Sequence, residues 1–464
     1  MIDTVLQQAA EGFPRHLARL CGHIRQSSVS TDRPAIDAIL GRLVHEIQAL
    51  GGQAQIIPTA ELPVLYATFD AGARRSVLFH CMYDTVPADE PGWIAPPFEA
   101  RQIALEGKGE CIVGRGAEDT KGPYAAVLSA IASYRAAGVA LPANIMLVME
   151  ASELGSGGMA DFVRRYGKDL RQADVAYFPW NTQREDGTAV VWLGAKGLIT
   201  LKLRARGGEW GGPVRSDLHG SHASWVASPV HRLVQALAGM RSADDSEVAI
   251  EGFYDGREPP TPAELALIDV LARSIDAAQQ LKELGALRFK QATLRDALRA
   301  YCFQSELNVS GLKAGLVVEG GHKAHVPREA VASLEIRPLG GMKAEAVIAA
   351  MRRHLDGRGY SDIAIEVMNS YDGGGSPPGN WAVEELLRCY AACGYRPEIW
   401  PRTARSIAAG LYTRELGLPW IATMPGHAGL QHAANEFISV EGYRAAITFV
   451  VQLLWRLGHP EGAS

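Results

Sequence analysis

The chain is poor in cysteine, poor in net charge and without long apolar runs, and each shortage excludes something. Six cysteines among 464 residues, at 21, 81, 111, 302, 389 and 393, are scattered, which fits reduced thiols rather than a disulfide framework. Cys389 and Cys393 are spaced to share a helical face, but with no second Cys or His pair beside them they read as packing residues, not a zinc site. A formal charge of −5 with no Lys/Arg run lacks the electrostatic footprint of a nucleic-acid binder. No apolar stretch is long enough to cross a bilayer, and the Met1–Gln8 start lacks the basic and apolar regions of a signal peptide, so the cytoplasm is the expected location. Fixed-period repeats and low-complexity tracts are also absent.

What is present describes a globular protein larger than one ordinary core: 47% hydrophobic residues, 21% charged and 49 glycines, with two domains as the starting expectation. Apolar spacing predicts a helix over Ala35–Leu50 ending at Gly51-Gly52, buried strands over Ser76–His80 and Asn144–Glu150, and a helix over Pro123–Ala137 stopping at Gly138. Such alternation argues for an α/β fold, a mainly parallel sheet with helices on both faces, whose ligands sit at the carboxyl ends of strands. Asp84, Asp119 and Glu153 all fall there. From about residue 201 the pattern changes, with a strand at Leu201–Ala205, a helix at Pro229–Met240, a charged helical stretch over Pro262–Leu284 and β-rich Ala330–Arg337. The glycine-rich Tyr371–Gly379 reads as a linker back.

Six motifs carry a resemblance, in order along nearly the whole chain. They are His80-Cys81-Met82-Tyr83-Asp84, Gly114-Arg115-Gly116-Ala117-Glu118-Asp119-Thr120-Lys121-Gly122, Ser152-Glu153-Leu154-Gly155, Gly194-Ala195-Lys196-Gly197, Asp217-Leu218-His219-Gly220-Ser221 and His432-Ala433-Ala434-Asn435-Glu436. Together they resemble the zinc-dependent dipeptidase, aminoacylase and carboxypeptidase family that includes carnosinase, acetylornithine deacetylase, succinyl-diaminopimelate desuccinylase and glutamate carboxypeptidase. The resemblance implies a catalytic domain in two parts, residues 1–200 and 371–464, interrupted by an α+β lid and dimerisation domain over 201–370, and hence a homodimer.

It also implies a ligand set. Asp119 takes the bridging position, with Glu153 and His432 beside it; three N/O ligands with an open fourth position suit a catalytic zinc. The first-ion ligands are replaced: Met82 stands where a His is expected and Trp180 where an Asp is expected, and neither is a plausible zinc ligand. Ser152 replaces the general-base Glu, and a hydroxyl takes no proton unaided at neutral pH. His80 and Glu150, each two residues back along its strand, are the candidates to restore an imidazole and a base. Asp84 is a candidate acid/base or a buried acceptor. One zinc at most is expected, or none, with the trio then a hydrogen-bonded cluster.

The resemblance makes His219 the lid residue that stabilises an oxyanion in the partner's site, and Asn308 and Arg337 the residues that hold substrate backbone or carboxylate. Arg402 and Ser406 match the Arg-x-x-x-Ser stretch beside them, and Lys196 stands where Arg is common. Trp180, Trp210 and Trp225 hint at an apolar substrate portion or simply pack. The expected activity is hydrolysis of an amide bond in a small dipeptide or N-acyl amino acid. The alternatives are a non-hydrolytic enzyme on the same fold, catalysing acyl transfer, amide formation, cyclisation or elimination on an amino-acid-like substrate, and a non-catalytic binding pseudoenzyme.

Overall fold

Alternate residues of the central strands enter two different cores, and this period-two sorting builds the larger part of the molecule. Val77, Phe79 and Cys81 of the strand Ser76–Met82 face one cluster, with Leu65, Ala67, Ile145 and Leu147 of neighbouring strands. Leu78, Val64, Met146 and Val148 face the other. The computed structural model describes residues 1–151, 153, 158–318 and 321–459, so Ser152 lies outside the described residues.

Eight strands form this sheet, in the spatial order Gln53–Ile57, Val64–Phe69, Asn144–Glu150, Ser76–Met82, Val175–Phe178, Trp420–Ala422, Val190–Trp192 and Glu398–Trp400. The centre is parallel: Ser76–Met82 runs parallel to both of its neighbours, and Val175–Phe178 parallel to Trp420–Ala422. Antiparallel pairing enters at Gln53–Ile57, Val64–Phe69 and the junction of Trp420–Ala422 with Val190–Trp192. Helices cover both faces. Arg33–Ala49, Lys121–Ala136 and Val440–Gly458 pack on the first core, and Gly158–Leu170 on the second. Two of the first three start where their chemistry directs: Asp32 accepts from Ala35 N, with Pro34 in the first turn, and Ser439 caps Gly442 N.

A second sheet, antiparallel throughout, orders Leu307–Ala314, Glu329–Ile336, Leu198–Arg206 and Ala364–Tyr371. Its two inner strands alternate buried and half-exposed residues. Their apolar side chains meet the helices Pro229–Ala238 and Ala344–Gly357 in a separate core. The two edge strands are mostly exposed, with Val309, Leu312, Val367 and Met368 open to solvent.

Two expectations are refined. The stretch 262–284 is two helices, Pro262–Ser274 and Ala277–Leu284, because Ile275 is extended and Asp276 caps a new start by accepting from Ala278 N and Gln279 N. Tyr371–Gly379 is only partly a connector: Gly374–Gly375 pairs with Gly194–Ala195. A Cβ on Gly375 would lie 2.6 Å from Gly194 Cα, so this glycine permits close backbone approach rather than flexibility. Among the described residues, no helix is long and apolar enough to cross a membrane.

Candidate active site

A smaller four-stranded sheet, Ala428–Gly429, Phe437–Ser439, Gly109–Val113 and Arg101–Leu105, positions most of the site. Asp119 follows the strand Gly109–Val113 at the start of the helix Lys121–Ala136. The loop before it is clamped by Glu436: its Oε1 accepts from Glu118 N (2.9 Å) and Asp119 N (3.0 Å), and its Oε2 from Gly116 N (3.1 Å) and Arg115 Nη1 (2.8 Å). Lys121 is fully buried and donates to His23 O and Gln26 O, tying the helix start to the helix Phe13–Arg25. Gly122 is required by close approach, since a Cβ there would sit 2.2 Å from Ala117 O.

Glu153 arrives from the strand Asn144–Glu150, its amide donating to Asp84 Oδ2 at 3.2 Å. Asp84 is fully buried and also accepts from Ser30 Oγ at 2.6 Å. His432 comes from the loop between the strands Ala428–Gly429 and Phe437–Ser439, held at a left-handed φ of 59°, a conformation that is uncommon for a non-glycine residue. Its Nε2 lies 2.8 Å from Glu153 Oε2 and 3.1 Å from Asp119 Oδ2.

Asp119, Glu153 and His432 thus each offer one ligand atom within 4.8 Å of the others. Glu153 Oε1 is buried without a hydrogen-bond partner among the described residues, an arrangement that leaves an oxygen available to a cation. Two carboxylates and an imidazole are a donor set that suits zinc. Bonds to Asp119 and Glu153 raise His432 to about 10, while burial and the Asp119 charge raise Glu153. The trio therefore keeps a proton at neutral pH, which a bound cation would displace.

The neighbouring positions have a different character. Trp180 is buried in the second core of the large sheet, and Met82 packs against that same core. Arg405 lies over the Trp180 ring, 4.7 Å from its centroid, and donates from Nη1 to Gln431 Oε1 at 2.7 Å. Gln431 Nε2 in turn donates to Asp119 Oδ2. His80 and Glu150, considered separately from the sequence, are bonded to each other, Nε2 to Oε1 at 2.8 Å, both buried and with His80 packed against Phe178 and Tyr412.

Residues 78–456 match the model described as Peptidase family M20/M25/M40. The chain belongs to this family. It is 26% identical over 332 residues to the Beta-Ala-His dipeptidase of Rattus norvegicus, covering 68% of this chain and 63% of that protein, so it spans less than two thirds of the rat protein's length. It is 24% identical over 369 residues to the Cys-Gly metallodipeptidase of Schizosaccharomyces pombe, covering 76% and 74% of the two chains. The solved M20 family metallo-carboxypeptidase of Sulfolobus solfataricus superimposes with a TM-score of 0.87 at 26% identity, over 96% of this chain and 99% of that one. Human carnosine dipeptidase 1 shares the fold, with a TM-score of 0.78 at 19% identity over 99% and 100% of the two chains.

In this M20 chain the residues expected to meet substrate divide between a cleft and its rim. A cleft of about 1900 Å³ is lined by Lys196, Asn308 and Arg337 and reaches Leu430, two residues before His432; the trio itself is outside its lining. Arg337 is already engaged: its guanidinium meets Glu335, Ala404 O and Ser406 Oγ, and Ser406 donates to Gly197 O. Arg402 pairs with Glu264 and lies over Phe303. Lys196 is 3% exposed, donates to Gln304 O at 2.7 Å, and is lowered to about 8 by burial. His219 stands apart from both groups, exposed on a two-stranded ribbon with His325, its Nδ1 beside Ser221.

Three functional features escaped the sequence reading. Glu118 is buried with one oxygen unpartnered, and is raised to about 8 by burial and by the charges of Asp119 and Glu436. Glu436 and Arg405 act through partners far along the chain, which local spacing does not show. The cleft aromatics are Trp192, Tyr301 and Trp400, with Trp192 and Trp400 centroids 5.0 Å apart. Of the three tryptophans singled out earlier, Trp180 is in the core, Trp210 bonds to Arg206 O, and Trp225 is exposed beside His222.

Proposed function

We propose that this chain hydrolyses an amide bond in a small substrate, a dipeptide or an N-acyl amino acid, using one divalent ion held by Asp119, Glu153 and His432. The observation that carries this reading is the convergence of those three side chains with a buried, unpartnered oxygen on Glu153. The names of its relatives, two dipeptidases and a carboxypeptidase, support the substrate class. When bound, a zinc ion would supply Lewis acidity to the reaction.

The chain's own residues do the rest. Glu436 fixes the Asp119 loop through three backbone amides, and Asp84 fixes the turn that carries Glu153, so the ligands are held before the ion arrives. Asn308 and Lys196 face the cleft that receives the substrate, and the Arg337–Ser406–Gly197 chain braces its rim. Asp84, which holds the Glu153 amide, and Glu150, paired with His80, are the source of proton acceptors, and Ser152 beside Glu153 offers no carboxylate of its own. The His219 ribbon serves the site only in a homodimer, where a partner's His219 would reach it.

A second reading, a non-hydrolytic reaction on an amino-acid-like substrate or a purely binding role, is favoured by Met82 and Trp180 lying in an apolar core next to the trio. Elemental analysis of the purified protein separates the two. About one zinc per chain, lost on His432→Ala together with hydrolysis of dipeptides or N-acyl amino acids, supports the hydrolase. No uptake of added zinc removes the metal-centred reading and leaves the second.

A further inference from the structure

Among the described cations around this site, Arg405 is the one placed for an anion that the described residues do not themselves provide. Arg337 has four of its five N–H donors engaged by Glu335, Ala404 O and Ser406, Arg402 is paired with Glu264, and Lys196 is buried on Gln304 O. Arg405 is exposed, and its partners among the described residues are the Trp180 ring and Gln431, with no carboxylate in ion-pair contact. Glu118 is close enough to feel its charge but is not bonded to it.

Its position is set from two sides. The guanidinium lies over a core tryptophan, its Cζ 4.7 Å from the Trp180 ring centroid, which restricts the side chain. One donor is held by Gln431, whose amide reaches Asp119. The guanidinium therefore stands beside the trio, one side-chain amide from Asp119, with donors to spare and a preorganised fork suited to a carboxylate.

We infer that Arg405 binds the carboxylate of the substrate, which assigns the site to amides that carry a free carboxylate, with Trp180 and Gln431 as the residues that position it. This rests on the small-amide reading above and transfers to Arg405 the carboxylate contact expected of Arg337, most of whose donors are turned to Glu335, Ala404 and Ser406. No covalent step is involved.

The test is a binding experiment on the full-length chelated protein, which needs neither metal nor turnover. N-acetyl-L-phenylalanine and its carboxamide counterpart are titrated calorimetrically into the wild type, Arg405→Ala, Arg405→Lys and Arg337→Ala, and zinc uptake is measured on each. The wild type is expected to prefer the carboxylate by roughly ten- to hundred-fold, the range for a charge-assisted hydrogen bond. Arg405→Ala abolishes that preference with zinc uptake unchanged, Arg405→Lys keeps part of it, and Arg337→Ala keeps most of it. No preference in the wild type, including no binding of either compound, overturns the inference, as does a preference that survives Arg405→Ala or disappears with Arg337→Ala. Loss of zinc uptake with the preference intact would instead defeat the metal-centred reading alone.

Discussion

Two adjacent regions of the site have opposite chemistry. On one side Asp119, Glu153 and His432 converge with a spare buried oxygen; on the other Met82 and Trp180 close into the core beneath the Arg405 guanidinium. Two sheets carry them: Met82, Glu153 and Trp180 come at or just after strands of the eight-stranded sheet, and Asp119 and His432 from the loops of the smaller four-stranded one. A scaffold of this kind fixes where side chains meet, while the residue types decide whether the meeting point takes a cation or excludes one. The polar side keeps the support a metal site requires, since every ligand-bearing loop is tied down by a buried carboxylate. The apolar side has exchanged such support for packing.

Removing a ligand from the polar side is the strongest way to break the comparison. Glu153→Gln or His432→Ala is expected to lower hydrolysis by more than about 100-fold, beyond the usual effect of a supporting residue, with loss of bound zinc by elemental analysis. Unchanged turnover would refute the metal-centred mechanism. Converting the apolar side is expected to damage the fold instead of adding a second site. Met82→His with Trp180→Asp should cost roughly 3–5 kcal/mol in denaturant unfolding, the range for emptying a large core position, with the buried charge adding to it. Zinc should stay at one per chain, and a second equivalent would show that the scaffold, rather than the two side chains, sets the metal count.

Smaller effects sharpen the contrast. Glu436→Gln leaves all three ligands in place but weakens the clamp on residues 116–119, so zinc affinity should fall by about 10- to 100-fold in a competition titration. Glu118 tests the cost of gathering carboxylates here. Its folded value, about 8, lies above the ordinary 4.5, so between those limits the folded state binds more protons than the unfolded one. Stability must then fall as pH rises through that window. In metal-free protein, Glu118→Gln is expected to raise the unfolding midpoint at pH 8, by an amount on the order of 1–3 kcal/mol, and to leave it nearly unchanged near pH 4.5. An equal effect at both pH values would show that proton binding is not the cause.

Much of this organisation was legible before any coordinates. The strands Ser76–Met82 and Asn144–Glu150 are continuous apolar runs because both faces are covered, and helices such as Arg33–Ala49 carry their own start signals. Local punctuation misled where its meaning depends on a distant neighbour. The glycines after Tyr371 have the composition of a linker, yet Gly374 and Gly375 are a strand against Gly194–Ala195. His80 and Glu150 were each weighed as a replacement for a lost group, and only the register of two parallel strands shows that they are bonded to each other.

The sequence by itself determined the family motifs, the α/β alternation, the identity of the trio and the two substitutions, Met82 and Trp180, because these depend on residue type and order. Tertiary structure decided which groups are free to act. His432 meets Glu153 across 279 residues, Arg337 spends its donors on Glu335, Ala404 and Ser406, and Arg405 is fixed by Trp180 and Gln431. Hydrogen-bonding capacity is a property of each side chain, but whether it has been used up depends on what the fold brings within about 3 Å of it.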